Sequence, residues 1–198
     1  MIEEIYSRRS IRKYSDTPIN KETIEKIISA GTKAPSAKNR QPWKFIVTSG
    51  MPKIQMLQAM RNGILKEEKG QGILKNSQRH LAAAKHTIDI MEQAPVIIFI
   101  LNPLGHSLYE EISVEQKIYD RANIESIGAC IQNMLLEAQS IGLGTLWICD
   151  VYFAYGDLNE WLNSNGEMLA AVALGHPDQQ PKSRPRKPIS GLIEWRET

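Results

Sequence analysis

Residues 123–145 read NIESIGACIQNMLLEAQSIGLGT and carry the strongest structural signal in the chain. Apolar side chains repeat at helical spacing through residues 123–141, yet they cover more than one amphipathic stripe. Their positions are Ile124, Ile127, Ile131, Met134, Leu135, Ala138 and Ile141. Gly142 and Gly144 then predict the end of the helix, because glycine adopts positive φ without strain. The pattern predicts a central helix buried on most sides, followed by a strand at residues 145–149.

Weaker patterns predict the remaining helices. Asn20 is a suitable N-cap for a helix at residues 21–31. Pro52 stands at a plausible first-turn position of a second helix. We expect that helix to end near Asn62, before a charged, glycine-bearing connection at residues 63–72. Two further helices are predicted at residues 81–91 and 158–162, the second with Asp157 as its cap.

Three more strands complete the predicted fold. Residues 95–101 have the length and the Val/Ile/Phe content of a strand that is covered on both faces. The other two strands are predicted at residues 44–48 and 168–174. Four strands and about five helices indicate an α+β protein whose sheet is covered by helices. We expect one domain at residues 1–175 and an extended basic C-terminal arm at residues 176–198.

Composition excludes several classes of protein. The chain has 24 Lys and Arg residues against 22 Asp and Glu residues, so it lacks the basic excess of a nucleic-acid-binding protein. The spacing of Cys130 and Cys149 predicts neither a disulfide scaffold nor a zinc site. The N-terminus lacks a signal-peptide pattern, and the longest apolar run, residues 96–101, is too short to cross a bilayer. We therefore predict a cytoplasmic protein with neither a membrane nor a nucleic acid as partner.

The usual sequence signatures of a catalytic centre are absent. Residues 142–147 match only the first half of G-x-G-x-x-G and follow a helix, which disfavours a Rossmann site. The chain has no G-x-x-x-x-G-K loop, no nucleophile elbow and no histidine pair spaced for a metal ion. We predict no metal site and no side chain that acts as the catalytic group. Any chemistry is expected to come from a bound cofactor.

Two polar segments in the first quarter of the chain suit a phosphorylated heterocyclic ligand. Residues 8–13, RRSIRK, hold cations and a hydroxyl, and guanidinium groups bind phosphate oxygens in pairs. Residues 35–43, PSAKNRQPW, hold amides and a hydroxyl between rigid prolines, as a polar ring or a ribityl chain requires. The alternatives are a solvated charged turn for the first segment and a structural loop for the second.

Two later segments are compatible with the same ligand. Residues 142–144, GLG, would let backbone N–H groups approach a flat ring, although a simple helix C-cap is the alternative. The basic C-terminal arm at residues 176–198 would close over an anion, although such arms are usually solvated. Its basic residues are Lys182, Arg184, Arg186 and Lys187.

Taken in this order, the four segments resemble the nitroreductase family of flavin mononucleotide (FMN) enzymes. The most specific part is the pair of motifs R-S-[apolar]-R at residues 9–12 and P-S-x-x-N-x-Q-P-W at residues 35–43. The resemblance extends from Tyr6 to about Ile189. It implies an α/β/α sandwich with a central, mostly antiparallel sheet. It also implies an intertwined homodimer with two FMN sites where the subunits meet.

The resemblance implies four groups of FMN-binding residues. The group on the phosphate, the ribityl chain and the pyrimidine edge of the ring is Arg8, Arg9, Ser10 and Arg12. The group lent by the partner subunit is Pro35, Ser36, Ala37, Asn39 and, as a weaker candidate, Gln41. The segment over the ring near its N5 atom is Gly142, Leu143 and Gly144. The C-terminal phosphate contacts are Arg184 and Arg186. A second basic pair in the arm is an alternative match to the same two positions of the family pattern.

The family's reaction follows from the same resemblance. NADH or NADPH reduces FMN at N5 and leaves, and a nitroaromatic, quinone or similar acceptor then takes the electrons in a ping-pong cycle. Flavin destructases, dehalogenases and dehydrogenases share the pattern, and a non-catalytic flavin-binding redox module or a purely structural dimer are further alternatives. Residues 63–72 and 153–156 are the predicted places for a segment that covers the substrate. The sequence fixes neither the acceptor nor the choice between NADH and NADPH.

Overall fold

The strand Val96–Asn102 (β2) lies inside the sheet of the computed structural model, which describes residues 2–197. Every residue of β2 is buried, as its apolar composition predicts. It pairs antiparallel with Lys44–Thr48 (β1) and with Glu167–Gly175 (β4). Gly144–Ile148 (β3) pairs antiparallel with β4, which gives the strand order β1-β2-β4-β3. The predicted α+β class with an antiparallel sheet is confirmed.

Helices cover both faces of this sheet. Their bounds are Glu3–Ser7 (α1), Lys21–Gly31 (α2), Gly50–Glu68 (α3), Leu81–Gln93 (α4), Val114–Ser140 (α5) and Tyr155–Leu162 (α6). Short 3-10 turns lie at Ala37–Asn39, Gln78–His80, Asp150–Ala154 and Ile189–Gly191.

The sheet separates two hydrophobic cores. Ile98 of β2 packs in one core with Met134 of α5, together with residues of α2. Its neighbour Phe99 packs in the other core with Met60 of α3, together with residues of α4 and α6. Successive side chains of a strand point to opposite faces, so the alternation along β2 supplies both cores. The result is the expected α/β/α sandwich.

Several predicted elements are observed with little change. α2 and β1 have the predicted bounds, and the side-chain oxygen of Asn20 accepts a hydrogen bond from the Thr23 backbone N–H at 2.8 Å. α4 and the other three strands differ from their predicted bounds by one or two residues at an end. Local capping and apolar patterning therefore specify these elements well.

The predicted end of the second helix near Asn62 is wrong. α3 continues to Glu68, so the first half of the predicted connection at residues 63–72 is helical. Gly63 lies inside the helix because it is a contact point: a Cβ there would lie 2.3 Å from the Cα of Ala154. Glycine at this position permits close packing of two backbones rather than a turn.

The central helix α5 is longer than predicted at its N-terminus. It begins at Val114 rather than Asn123. The Gln116 backbone N–H donates to Ser113 Oγ at 3.2 Å, and the Ser113 N–H donates to Gln116 Oε1 at 2.8 Å. This reciprocal pair is a capping box, which fixes the start of the helix ahead of its apolar portion.

The predicted start of the last helix is also wrong. α6 begins at Tyr155, before residue 158, and Asp157 does not cap it. The Asp157 carboxylate instead pairs with Lys66 Nζ of α3 at 2.8 Å. Residues 153–156, predicted as a covering segment, belong to a 3-10 turn and the first turn of α6.

The C-terminal residues 176–197 form an extended, mostly exposed arm. Its start is tied to the N-terminal segment, since the Asp178 N–H donates to the Lys13 carbonyl and the Ser15 N–H donates to the His176 carbonyl. The division into a domain and an arm stays a prediction, and the outermost residues of the two predicted units, 1 and 198, lie outside the described range. Within residues 2–197, no helix is long and apolar enough to cross a membrane.

Replacing Gly63 with alanine is expected to lower the free energy of unfolding by about 1–3 kcal/mol, because the added methyl forces α3 away from the Asp150–Ala154 turn. Gly156→Ala is the control, since a Cβ there would meet only the Tyr109 hydroxyl, in ordinary contact at 3.9 Å. Thermal unfolding followed by circular dichroism measures both variants. A Gly63→Ala protein as stable as the wild type would contradict this close packing.

Candidate functional site

A basic cleft forms where the N-terminal segment meets the C-terminal arm. It encloses about 210 Å³. Its lining residues are Arg8, Arg9, Ser10, Arg12, Pro181, Lys182, Arg184 and Arg186. The structure thus brings together the N-terminal group Arg8, Arg9, Ser10 and Arg12 with Arg184 and Arg186 of the arm, whereas Lys187 does not line the cleft. We call this site the basic cleft.

Backbone pairing holds the N-terminal wall of the basic cleft against the sheet. Ser10 forms a parallel bridge with Thr145 at the start of β3, and the Ile11 N–H donates to the Thr145 carbonyl at 2.9 Å. The side chain of Ile11 is buried against Gly144, where a Cβ would lie 2.7 Å from Ile11 Cγ1. The spacing of Arg8 and Arg12 around this anchored residue places both side chains in the same cleft.

Positive charge accumulates in the basic cleft without compensation. Among the described residues, six of the lining side chains are cationic and none is acidic. Burial, together with the positive charges of Arg186 and Arg9, lowers the pKa of Arg8 below its ordinary value. Cations gathered in this way repel one another, and a bound anion relieves the repulsion. The cleft therefore has the electrostatics of an anion site.

Arg9 also has a structural role that the sequence does not reveal. Its Nη1 atom donates to the carbonyl oxygens of Tyr6, Ser7 and Arg8 at 2.7–2.9 Å. These are the last carbonyls of α1 and the residue that follows it, so Arg9 caps the short N-terminal helix. One of the three nitrogens of its guanidinium group is therefore engaged within the chain.

An adjoining groove of about 460 Å³ shares Arg9 and Pro181 with the basic cleft. Residues 142–144 line the groove, and its other walls include Ile11 and Gln179. A groove continuous with a phosphate site provides room for the rest of a phosphorylated ligand. We call it the ring groove.

The glycine segment closes α5 with a C-cap, the alternative that the sequence left open. The Leu143 N–H donates to the Ala138 carbonyl at 2.8 Å, and the Gly142 N–H donates to the Gln139 carbonyl at 3.1 Å. Gly142 has φ +76°, so the pattern is a Schellman motif. These two N–H groups are therefore engaged by the helix end and are not free to bind a ring. The binding role of residues 142–144 stays a prediction.

The loop at residues 35–42 is held in an unusual backbone conformation. Lys38, Asn39 and Gln41 all have positive φ, between 48° and 53°. Non-glycine residues rarely adopt this region, and clusters of them occur at ligand sites that the surrounding structure holds in place. The flanking prolines at residues 35 and 42 do not set the φ of Lys38, Asn39 or Gln41, so other contacts must hold the loop.

Contacts with α5 supply the missing support for this loop. The Ala37 N–H donates to Ser126 Oγ at 3.2 Å, and the cationic groups of Lys38 and Arg40 lie 5.8 Å and 5.0 Å from the ring centroid of Tyr119. Within the loop, the Gln41 N–H donates to Ser36 Oγ at 3.0 Å. Sequence reasoning missed Ser126 and Tyr119, because residues 37 and 126 are 89 positions apart in the chain.

One chain does not bring this loop to the basic cleft. The loop contacts α5 at Ser126, whereas the ring groove begins where α5 ends, beyond Ala138. Twelve helical residues separate these points by about 18 Å along the helix axis. The described residues 35–41 line neither the basic cleft nor the ring groove. Their predicted contact with the ligand therefore stays a prediction.

A family model described as the nitroreductase family matches residues 5–176, which is most of the chain. The chain belongs to the nitroreductase family. The match includes the N-terminal wall of the basic cleft, the 35–42 loop and the ring-groove glycines.

Individual relatives agree with this assignment. An NADPH-flavin oxidoreductase of Vibrio harveyi is 29% identical over 194 residues, which cover 97% of this chain and 72% of the relative. A nitroreductase-like protein from Bacillus cereus has the same fold, with a TM-score of 0.78 at 22% identity, covering 100% of this chain and 97% of the other. A provisionally named nitroreductase from Desulfovibrio desulfuricans was solved with FMN. It has a TM-score of 0.72 at 26% identity, and the match covers 100% of this chain and 96% of the other.

Inorganic phosphate is expected to raise the melting temperature of this nitroreductase-family protein at constant ionic strength. An anion that binds only the folded state adds about 2.7 kcal/mol at a concentration of 100 Kd. Arg186→Gln is expected to reduce this stabilisation severalfold. Arg61→Gln is the control, since Arg61 pairs with Glu92 on the surface at 2.9 Å. An equal phosphate response in all three proteins, measured by differential scanning fluorimetry, would rule out an anion site in the cleft.

Proposed function

We propose that the chain is an FMN-dependent oxidoreductase that uses NADH or NADPH to reduce a nitroaromatic, quinone or similar small acceptor. The observation that carries the proposal is the convergence of Arg8, Ser10, Arg12, Arg184 and Arg186 on one cleft beside the ring groove. The family assignment supports the same function. The two cysteines are unpaired, in keeping with the cytoplasmic location that we also propose.

The residues of the basic cleft fit the phosphate of FMN. A phosphate ester carries up to two negative charges and three acceptor oxygens, and guanidinium groups match these oxygens in pairs. Arg8 and Arg186 lie close enough for their charges to affect each other. Ser10 adds a hydroxyl at the same wall. The donor set therefore has the charge and the kinds of donor group that a phosphate monoester requires.

The ring groove supplies the space for the remainder of FMN. Its volume of about 460 Å³ exceeds that of the basic cleft, and its lining combines apolar residues with the amide side chains of Gln139, Gln179 and Gln180. A mostly apolar wall with a few amides suits a ribityl chain and a planar ring. The Desulfovibrio relative was solved with FMN, which supports this choice of ligand.

The second half of the site comes, in this proposal, from another copy of the chain. Pro35, Ser36, Ala37, Asn39 and Gln41 of one subunit would reach the flavin held by the basic cleft of its partner. The arm supports such an exchange, because it exposes large apolar side chains that burial in a partner would stabilise. These are Ile189, Leu192, Ile193 and Trp195, with exposed fractions from 43% to 75%.

FMN, when bound, supplies the redox chemistry, because its N5 atom receives hydride and the ring passes electrons on. The chain binds, orients and shields this group. Arg8 and Arg186 would hold the phosphate, while Arg12 would place positive charge at the pyrimidine edge of the ring. Residues 142–144 would lie over the ring. No side chain of the site needs to donate or accept a proton in the hydride transfer.

The acceptor is the least constrained part of the proposal. The family pattern is shared with destructases, dehalogenases and dehydrogenases, and the cleft would serve a non-catalytic flavin module equally well. Reduction by a nicotinamide followed by reoxidation separates an enzyme from such a module. The first test therefore follows the colour of the bound flavin.

The protein loaded with FMN is expected to be yellow, to bleach within seconds on addition of NADH or NADPH, and to regain colour with a nitroaromatic or a quinone. Because one pocket serves both substrates in turn, double-reciprocal plots are expected to be parallel. Stopped-flow absorbance and steady-state kinetics provide both readouts. A protein that stays colourless with FMN contradicts the site, whereas a yellow protein that does not bleach contradicts only the enzyme.

Mixed subunits test whether two chains share each site. Co-expression of Arg8→Ala with Asn39→Ala in equal amounts is expected to restore about a quarter of wild-type activity, because about half of the dimers are mixed and each mixed dimer has one intact and one doubly altered site. Co-expression of Arg8→Ala with Arg186→Ala is the matched control and restores nothing, since both residues belong to the cleft of one chain. No recovery in the first mixture would show that Asn39 acts in its own subunit.

A further inference from the structure

Two cations of the 35–42 loop take no part in the flavin contacts proposed above. Lys38 and Arg40 stand on either side of Asn39, and residues 35–43 contain no acidic residue. Lys38 is exposed, whereas Arg40 is half-buried. The cationic groups of both lie over the ring of Tyr119, at 5.8 Å and 5.0 Å from its centroid. We call Lys38, Arg40 and Tyr119 the loop cation cluster.

The described part of the chain does not neutralise this cluster. Among residues 2–197, neither Lys38 nor Arg40 has a carboxylate oxygen within 4.0 Å of its cationic group. The acidic residue next to Tyr119 is Asp120, and it pairs with His106 Nδ1 at 3.0 Å instead. Two neighbouring cations without a carboxylate repel each other, and a bound anion relieves that repulsion.

The surroundings hold the cluster in place before a ligand arrives. Lys38 and Asn39 both have positive φ, 53° and 52°, so the loop has a defined and strained shape. The Ala37 N–H donates to Ser126 Oγ of α5. Tyr119 lies about two turns earlier on the same helix and contacts both cations. Side chains that are already ordered over a ring lose less conformational entropy when they bind an anion.

The proposed dimer gives the cluster a position beside the flavin. In that dimer Asn39 contacts the flavin of the partner subunit, and consecutive Cα atoms are only about 3.8 Å apart. Lys38 and Arg40 would therefore lie within a side-chain length of the same flavin. The flavin phosphate already has the cations of the basic cleft. The anion that meets the loop cation cluster is therefore one that a substrate carries.

We propose that Lys38 and Arg40 bind an anionic group, a carboxylate or a phosphate, of the substrate that approaches the flavin of the partner subunit. Tyr119 is a positioning residue that keeps both cations on one side of the loop. This inference rests on the proposed function and adds the charge of the substrate to it. The anionic group belongs either to the acceptor or to the nicotinamide nucleotide, and the two half-reactions separate these sources.

Two nitroaromatic acceptors of similar size test the first source: 4-nitrobenzoate is an anion and 4-nitrobenzyl alcohol is neutral. In a ping-pong cycle, kcat/KM for the acceptor reports only the oxidative half-reaction. If the acceptor carries the anion, Arg40→Gln and Lys38→Gln are each expected to lower the ratio of kcat/KM for the anionic over the neutral acceptor by about three- to tenfold. Arg40→Lys keeps the charge and is expected to retain most of the ratio.

The ratio separates ligand binding from support of the loop, because a distorted loop would slow both acceptors equally. Tyr119→Leu is expected to lower the ratio about twofold, whereas Tyr119→Phe keeps the ring and the ratio. Arg61→Gln is the control, since it removes a surface cation of α3 that pairs with Glu92. It is expected to leave the ratio unchanged.

The reductive half-reaction tests the second source. If the nucleotide carries the anion, Arg40→Gln and Lys38→Gln are expected to weaken NADH and NADPH binding by about three- to tenfold in stopped-flow reduction, with the acceptor ratio unchanged. Isothermal titration of the oxidised FMN-loaded protein with 4-nitrobenzoate and with NADP⁺ gives both comparisons without turnover.

An unchanged acceptor ratio together with unchanged nucleotide affinity in the folded Arg40→Gln and Lys38→Gln proteins would overturn the proposal. Weaker binding of FMN as their only effect would also overturn it, since the cations would then serve the cofactor. In either case a wild-type protein that is bleached by a nicotinamide and reoxidised by the neutral acceptor retains the proposed function. A protein that does not take up FMN contradicts the proposed function and this inference together.

Discussion

The hydrogen bond from the Ile11 N–H to the Thr145 carbonyl, together with the close packing of Ile11 on Gly144, is the constraint on which the functional site depends. It fixes the N-terminal segment to the start of β3, at the end of α5. Arg8 and Arg12 flank this anchor and therefore face the same cleft. A side chain at position 144 would push Ile11 away, and the cationic wall would move with it. Glycine is thus required there by packing within the chain, whatever ligand binds nearby.

Charge and apolar patterning predict much of this molecule. The all-apolar run of β2, the Asn20 cap and the glycine stop after α5 specify their elements from local sequence alone. The clustering of Arg8 with Arg186 was predicted through a family resemblance, because no local rule joins residues so far apart. The predicted end of α3 near Asn62 was wrong because of Gly63. In a sequence, a glycine that permits close packing cannot be distinguished from one that permits a turn.

The support of the 35–42 loop was not predictable for a related reason. Its left-handed residues are held by Ser126 and Tyr119 of α5, and neither residue belongs to a recognisable motif. Each strained residue costs of order 1 kcal/mol or more, which these contacts must offset. A loop shaped in advance loses less conformational entropy when it meets a ligand or a second subunit. α5 therefore connects the core of one chain to the 35–42 loop, which in the proposed dimer contacts the ligand of the partner subunit.

The basic cleft joins segments that are far apart along the chain. Arg8 belongs to the segment that precedes α2, whereas Arg184 and Arg186 lie on the arm that follows the last strand. During synthesis Arg8 and Arg12 emerge from the ribosome long before Arg184 and Arg186. The cleft is therefore completed late in biogenesis, after the sheet and both of its helical layers have had the opportunity to assemble.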